Sequence, residues 1–139
     1  MNKTIKIDGK SCEFKTSAAI PRLYRVKFNR DIFSDMIKIN KQVKIQEQLK
    51  KEAKEDCEKR GIPFNEEEFE SELPIDVLEI FEKVAFLMAR HADPSQPDDI
   101  DEWLAQFDTF SIYKVLPEIA ALWGDGNKQL SKPKKESGK

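Results

Sequence analysis

Apolar and polar positions alternate at the start of the chain and then recur at helical spacing over most of its remaining length. Between Thr4 and Thr16, Ile5 and Ile7 precede Asp8-Gly9, while Cys12 and Phe14 follow it. Asp-Gly favours the positive φ angles of a two-residue turn, so a short β-hairpin is expected over residues 1–16. An isolated two-stranded ribbon is marginal in water, so this one must pack on helices or join strands of another copy. Its open edges favour self-association.

From Ser17 the period lengthens. Ser17 is the expected N-cap of a helix that accommodates Pro21 in its first turn, with Ile20, Leu23, Tyr24 and Phe28 on one side and Arg22, Arg25 and Lys27 exposed. Asp31 begins a second amphipathic run lined by Ile32, Phe33, Met36, Ile37 and Val43. Between Lys44 and Arg60 the stripe narrows to Ile45, Leu49, Ala53 and Cys57 among charged and Gln side chains, the pattern of a solvated helix or one that meets a partner along one seam. Gly61 and Pro63 mark its end. Asn65 with Glu68, and Phe64 with Phe69, then form a capping box and a hydrophobic staple for a short acidic helix.

Pro74 opens the segment expected to be the central core helix, with Ile75, Leu78, Phe81, Val84, Ala85 and Met88 on one face and Asp93-Pro94 as its stop. A helix from Asp98 to Phe107 carries Ile100, Trp103, Leu104 and Phe107 on one side. Asp108 caps a last segment with Phe110, Ile112, Tyr113, Leu116, Ile119 and Trp123, which Pro117 kinks or splits and Gly124 ends. The expected fold is mainly α, a small helical domain of about five to six helices with a short N-terminal β-hairpin. One domain spans residues 1–124, the hairpin taking 1–16 and the helices 17–124. Residues 125–139, ending SKPKKESGK, are expected to be a disordered Lys-rich tail.

Composition narrows the function classes. At 139 residues there is room for one modest core. Charged residues make up 36%, but 24 basic and 26 acidic side chains leave a formal net charge of -2, so no global field draws in nucleic acid or anionic lipid. No apolar run is long enough for a bilayer span and MNKTIKIDGK lacks a signal-peptide core, so a cytoplasmic protein with no membrane partner is expected. Cys12 and Cys57, far apart and without a CxxC, read as reduced thiols; with a single histidine they cannot complete a zinc site.

Little in the chain suggests catalysis. His91, the one side chain with a neutral-range ordinary pKa, sits near the end of the core helix, where it reads as a C-terminal cap; Asp93 could pair with it, but no nucleophile is adjacent in sequence. Asp98, Asp99, Asp101 and Glu102 lack the spacing of a calcium loop and read as helix-start acids. No phosphate loop, HExxH or GxSxG occurs, so no enzyme activity and no cofactor are expected. Arg22, Arg25, Lys27 and Arg30, interleaved with Tyr24 and Phe28, form a local basic patch that supports a second reading, a small helical nucleic-acid-binding or regulatory protein.

Two blocks carry a resemblance. FKTSAAIPRLYRVKFNRDIFSDM (Phe14 to Met36) and FLMARHADPSQPDDIDEWLAQFDTFSIYKVLPEIAALWGDG (Phe86 to Gly126) closely resemble the tail assembly chaperones of long-tailed phages and prophages of Gram-positive bacteria. Their order and spacing carry the likeness, over roughly half the chain; the charged segment 44–72 departs from the family pattern and looks expanded. The resemblance implies a helical protein of the infected host's cytoplasm, absent from the virion. It would hold the tape measure protein soluble until tail tube subunits polymerise around it. It also implies a longer form made by programmed frameshifting, which would recruit tail tube protein; Lys134-Lys135 before Glu136 is compatible with a slippery codon pair. Homo-oligomers remain open. Trp103, Phe107 and Trp123 are the candidate client contacts, as amphipathic side chains favoured at interfaces, with plain core packing the alternative for each. No catalytic residue carries over.

Overall fold

In a computed structural model, which describes residues 1–65, 73–108 and 111–124, the chain is mainly helical with a short N-terminal hairpin. Strands β1 (Asn2–Ile7) and β2 (Lys10–Lys15) pair antiparallel, Ile5 opposite Cys12 and Ile7 opposite Lys10. Asp8 and Gly9 take φ of 55° and 78°, the two left-handed residues a tight hairpin turn requires. The Asp8 carboxylate also accepts hydrogen bonds from the Asp108 backbone N–H and the Ser111 hydroxyl, tying the turn to the chain's C-terminal third. The hairpin's inner face buries Ile5, Ile7 and Phe14, and β2 lies against the central helix.

Helix α1 (Ile20–Phe28) starts later than the sequence suggested. Ala19 flanks it as the N-cap residue, while the Ser17 hydroxyl accepts the Ala19 N–H at 3.2 Å and so closes the turn before the helix. Helix α2 (Ile32–Arg60) joins the second amphipathic run and the charged run into one 29-residue element. Asp31 caps it as expected, accepting the Phe33 N–H at 3.0 Å. Gly61 ends it at φ 71°, with the Ile62 N–H returning to the Cys57 carbonyl at 3.0 Å. Its buried residues, Ile32, Asp35, Met36 and Ile39, all lie in the first eight positions. Phe33 and Ile37, assigned to the inner side from their spacing, are 44% and 68% exposed. Beyond Val43 the helix is an arm whose every side chain is exposed or half-buried.

Helix α3 (Ile75–Ala92) is the centre of the fold. Val77, Ile80, Phe81, Val84, Ala85 and Met88 follow the i, i+3, i+4, i+7 pattern, and Phe86, Leu87 and Ala89 bury its other sides because β2, α1, α2 and α4 all pack on it. Ile75 belongs to none of these contacts and is 74% exposed. Asp93 ends the helix, its N–H bonded to the Ala89 carbonyl at 2.9 Å. Helix α4 (Ile100–Leu104) is capped by Asp99 and is shorter than the run to Phe107. A 3-10 turn at Ile112–Val115 leads directly into a helix over residues 116–124, designated α5, so Pro117 falls in a first turn where its missing N–H costs nothing. The acidic helix expected from Asn65 and the Lys-rich tail fall largely or wholly outside the described residues.

One cluster of buried side chains runs from Ile5 to Trp123 through the hairpin and the helices. Burial of each large aliphatic or aromatic member contributes on the order of 1.5–3 kcal/mol. A buried polar knot fixes the α1–α2 corner: Arg30 grips the Asp35 carboxylate with Nε at 2.7 Å and Nη2 at 2.9 Å, and the Tyr24 hydroxyl donates to it at 2.7 Å. Burial alone would raise the Asp35 pKa, but these hydrogen bonds outweigh it and hold the carboxyl below its ordinary value.

Candidate interaction surface

The aromatic residues expected to meet a partner are mostly interior. Trp103 is 1% exposed, with the rings of Phe14, Phe86 and Phe107 at 6.5, 5.8 and 5.1 Å, all edge-on. A ring so enclosed offers no area to a partner; its place is at the junction of hairpin, α3 and α4. Phe107 is half-buried and packs onto it. Trp123 is 7% exposed and meets the Phe33 ring at 5.4 Å, so Phe33, at 44% exposure, presents that aromatic pair to solvent. The anchor role drawn from residue type alone therefore does not fit Trp103 or Trp123 in this conformation.

His91 finds a partner that the sequence did not reveal. Its Nε2 lies 2.8 Å from the Ser17 hydroxyl, across 74 residues of chain. Burial, Lys15 and the N-terminal ammonium all lower its pKa, which opposes the charged cap expected of it. Asp93 turns away, accepting from the Ser95 N–H at 3.0 Å, the Ser95 hydroxyl at 2.6 Å and Gln96 Nε2 at 3.2 Å. Among the described residues no carboxylate hydrogen-bonds to His91. The pair staples the hairpin's exit to the end of α3.

The basic patch is likewise partly spoken for. Arg30 is committed to Asp35, and Lys27 approaches Asp98 at 3.4 Å with its ammonium 5.5 Å from the centre of the Phe86 ring. Arg22 and Arg25 remain on the exposed side of α1. In the acidic cluster, Asp99 accepts the Glu102 N–H at 3.3 Å as a cap, and Asp98 faces Lys27 and, at 3.6 Å, Arg90. Among the described residues no group of three or more His, Cys, Asp or Glu is arranged to hold a metal ion. Cys12 and Cys57 are free and half-buried.

One of the clefts among the described residues lies between α1 and α3 and measures about 420 Å³. Leu87 lies at its base and Leu23 and Val26 on its rim, 39% and 70% exposed; Lys27, Arg90, His91 and Asp98 supply the polar wall. The offset from Ile20 predicts an inner position for Leu23; the structure places it on the rim beside Val26. A second stripe was nonetheless visible: Leu23 and Val26 are i, i+3 neighbours, rotated away from the Ile20–Tyr24 line that enters the core. No helix among the described residues is long and apolar enough to cross a membrane. No protein-family model, curated protein or solved structure matches the chain.

Proposed function

We propose that this chain is a non-enzymatic tail assembly chaperone of a long-tailed phage or prophage. It binds the tape measure protein and keeps it soluble until tail tube subunits polymerise around it, and it is absent from the virion. The observation that carries this reading joins sequence and fold. The two blocks that resemble the chaperone family, between which segment 44–72 departs from the family pattern, pack on each other. Phe14 and Phe86 meet on Trp103, Ser17 meets His91, and Lys27 meets Asp98. The departing segment 44–72 supplies the α2 arm, and none of its described residues is buried.

The remaining surface suits the role. A chaperone for a long helical client needs apolar side chains exposed between helices and a charged exterior, with contacts weak enough to be displaced. Leu23, Val26, Phe33 and Ile37 are exposed on the two helices that flank the corner. Co-expression with the tape measure protein of the same gene cluster tests the reading: a soluble, co-purifying complex is the expected result, and an insoluble client with no complex removes it. The nucleic-acid reading predicts salt-sensitive DNA or RNA affinity lost in an Arg22→Ala, Arg25→Ala double variant.

A further inference from the structure

We propose that the cleft between α1 and α3 is a docking groove for an amphipathic helix of another protein, one presenting aliphatic side chains flanked by carboxylates. The inference rests on the chaperone reading for the identity of that protein, and on the cleft's own chemistry for its kind. The floor and rim are aliphatic: Leu87 at 6% exposure is the base, while Leu23 and Val26 face water at 39% and 70%. Covering them removes apolar area from water at no cost to the fold, whose core lies on the opposite side of α1 at Ile20 and Tyr24.

Charge decides the flanks of the partner. Lys27 and Arg90 both lean on the single carboxylate of Asp98, at 3.4 and 3.6 Å, and that side chain is 78% exposed. Two cations sharing one acid leave the wall net positive, and contacts this exposed are cheap to exchange. Arg90 also donates to the Pro94 and Gln96 carbonyls at 3.3 and 2.6 Å and stays in place, so a partner's carboxylate takes over Lys27 and leaves Asp98 hydrated. The Arg30–Asp35 pair, at 2.7 Å with the acid buried, offers no such exchange.

The shape favours a helix. The lining comes from two packed helices and the segment after α3, with no strand edge to extend. A furrow between helices accepts the ridge of a third. The lining runs from Leu23 to Lys27 on α1 and from Leu87 to His91 on α3, about 6 Å along each axis, which admits aliphatic anchors at i and i+3 or i+4.

Fluorescence anisotropy of the full chain with labelled helical peptides of about 20 residues tests this. Each peptide carries the same Leu stripe, flanked by Glu, by Gln or by Lys. The Glu-flanked peptide is expected to bind tightest, and more weakly as salt rises. Val26→Asp should weaken it at least about tenfold, and Lys27→Glu should weaken it while improving the Lys-flanked peptide. Both positions are solvent-facing; circular dichroism confirms that each variant folds, and Leu23→Asp serves as a second probe of the rim. Equal binding of the Glu and Lys peptides, indifference to Val26→Asp and Leu23→Asp, or no binding overturns the assignment. So does a dimer in sedimentation that Val26→Asp dissociates, which would make a second copy the occupant, or a DNA oligonucleotide that competes for the cleft. Peptide binding as described without co-purification of the tape measure protein leaves the groove standing and removes the chaperone reading. A tape measure complex untouched by Val26→Asp does the reverse.

Discussion

Helices α3 and α2 make opposite use of a similar vocabulary. The 18 residues of α3 bury nine side chains, whereas the 29 of α2 bury four, none beyond Ile39. The sequence difference is one of density: α3 places an apolar residue on every side of its second half, while α2 beyond Val43 offers one aliphatic position every four residues. Side-chain contacts such as Gln48–Glu52 and Arg60–Asp56 run along that arm and contribute only a few tenths of a kcal/mol each. Tertiary burial therefore stabilises α3, whereas no described side chain of the arm is buried, and helix propensity, contacts along its surface and a good C-cap support it. Helical pattern and structural importance are thus separate properties.

Mutations can break that contrast or sharpen it. The largest effect is expected at Trp103→Ala, which removes a ring packed on Phe14, Phe86 and Phe107 and should cost about 3–5 kcal/mol in denaturant unfolding. Leu49→Ala in the arm, at 42% exposure, should cost less than about 1 kcal/mol by the same measurement. Equal costs would erase the distinction between the two regions.

Next in size is the polar knot that anchors the packed end of α2. Asp35→Ala leaves Arg30 and Tyr24 without their acceptor; with Arg30 38% exposed, about 1–3 kcal/mol is expected. The knot also sets the acid response. Because the folded pKa of Asp35 is lowered, its stabilisation is complete above the ordinary carboxylate value of about 3.9 and is lost as pH falls through the folded value. Unfolding followed from pH 7 to pH 2 should show a shallower acid limb in Asp35→Asn.

A glycine placed in the arm sharpens the comparison from the other side. Lys51→Gly should cost about 1 kcal/mol of local helix stability, read as lost helical circular dichroism, with the midpoint of global unfolding nearly unchanged. The smallest effect concerns His91. Its folded pKa is lowered, so the unfolded chain takes up the proton first and stability declines slightly as pH falls through the ordinary value near about 6.5. His91→Gln should flatten that slope in melts between about pH 5 and pH 7.

Local rules made much of this fold legible. Asp8-Gly9 announces the hairpin, Asp31 and Gly61 bound α2, and Asp93-Pro94 ends α3, because each acts through backbone geometry within a few residues. Long-range placement was not legible in that way. Nothing near Ser17 points to His91, and the apolar face shared by Ile100, Trp103, Leu104 and Phe107 does not say whether Trp103 meets the core or a partner. Helical offsets also misplaced Leu23, Phe33 and Ile37, since a stripe identifies neighbouring side chains without saying which of two stripes meets the core. The candidate groove arises from that ambiguity: its rim is the stripe of α1 that stays outside.

Native-state hydrogen exchange, resolved by residue, tests most directly the division into a packed body, centred on the hairpin and α3, and an arm with no buried side chain. Amides of β2 and α3 should exchange only through global unfolding, while those of residues 46–58 should exchange orders of magnitude faster through local fraying. Protection in the arm equal to that of α3 would contradict the division.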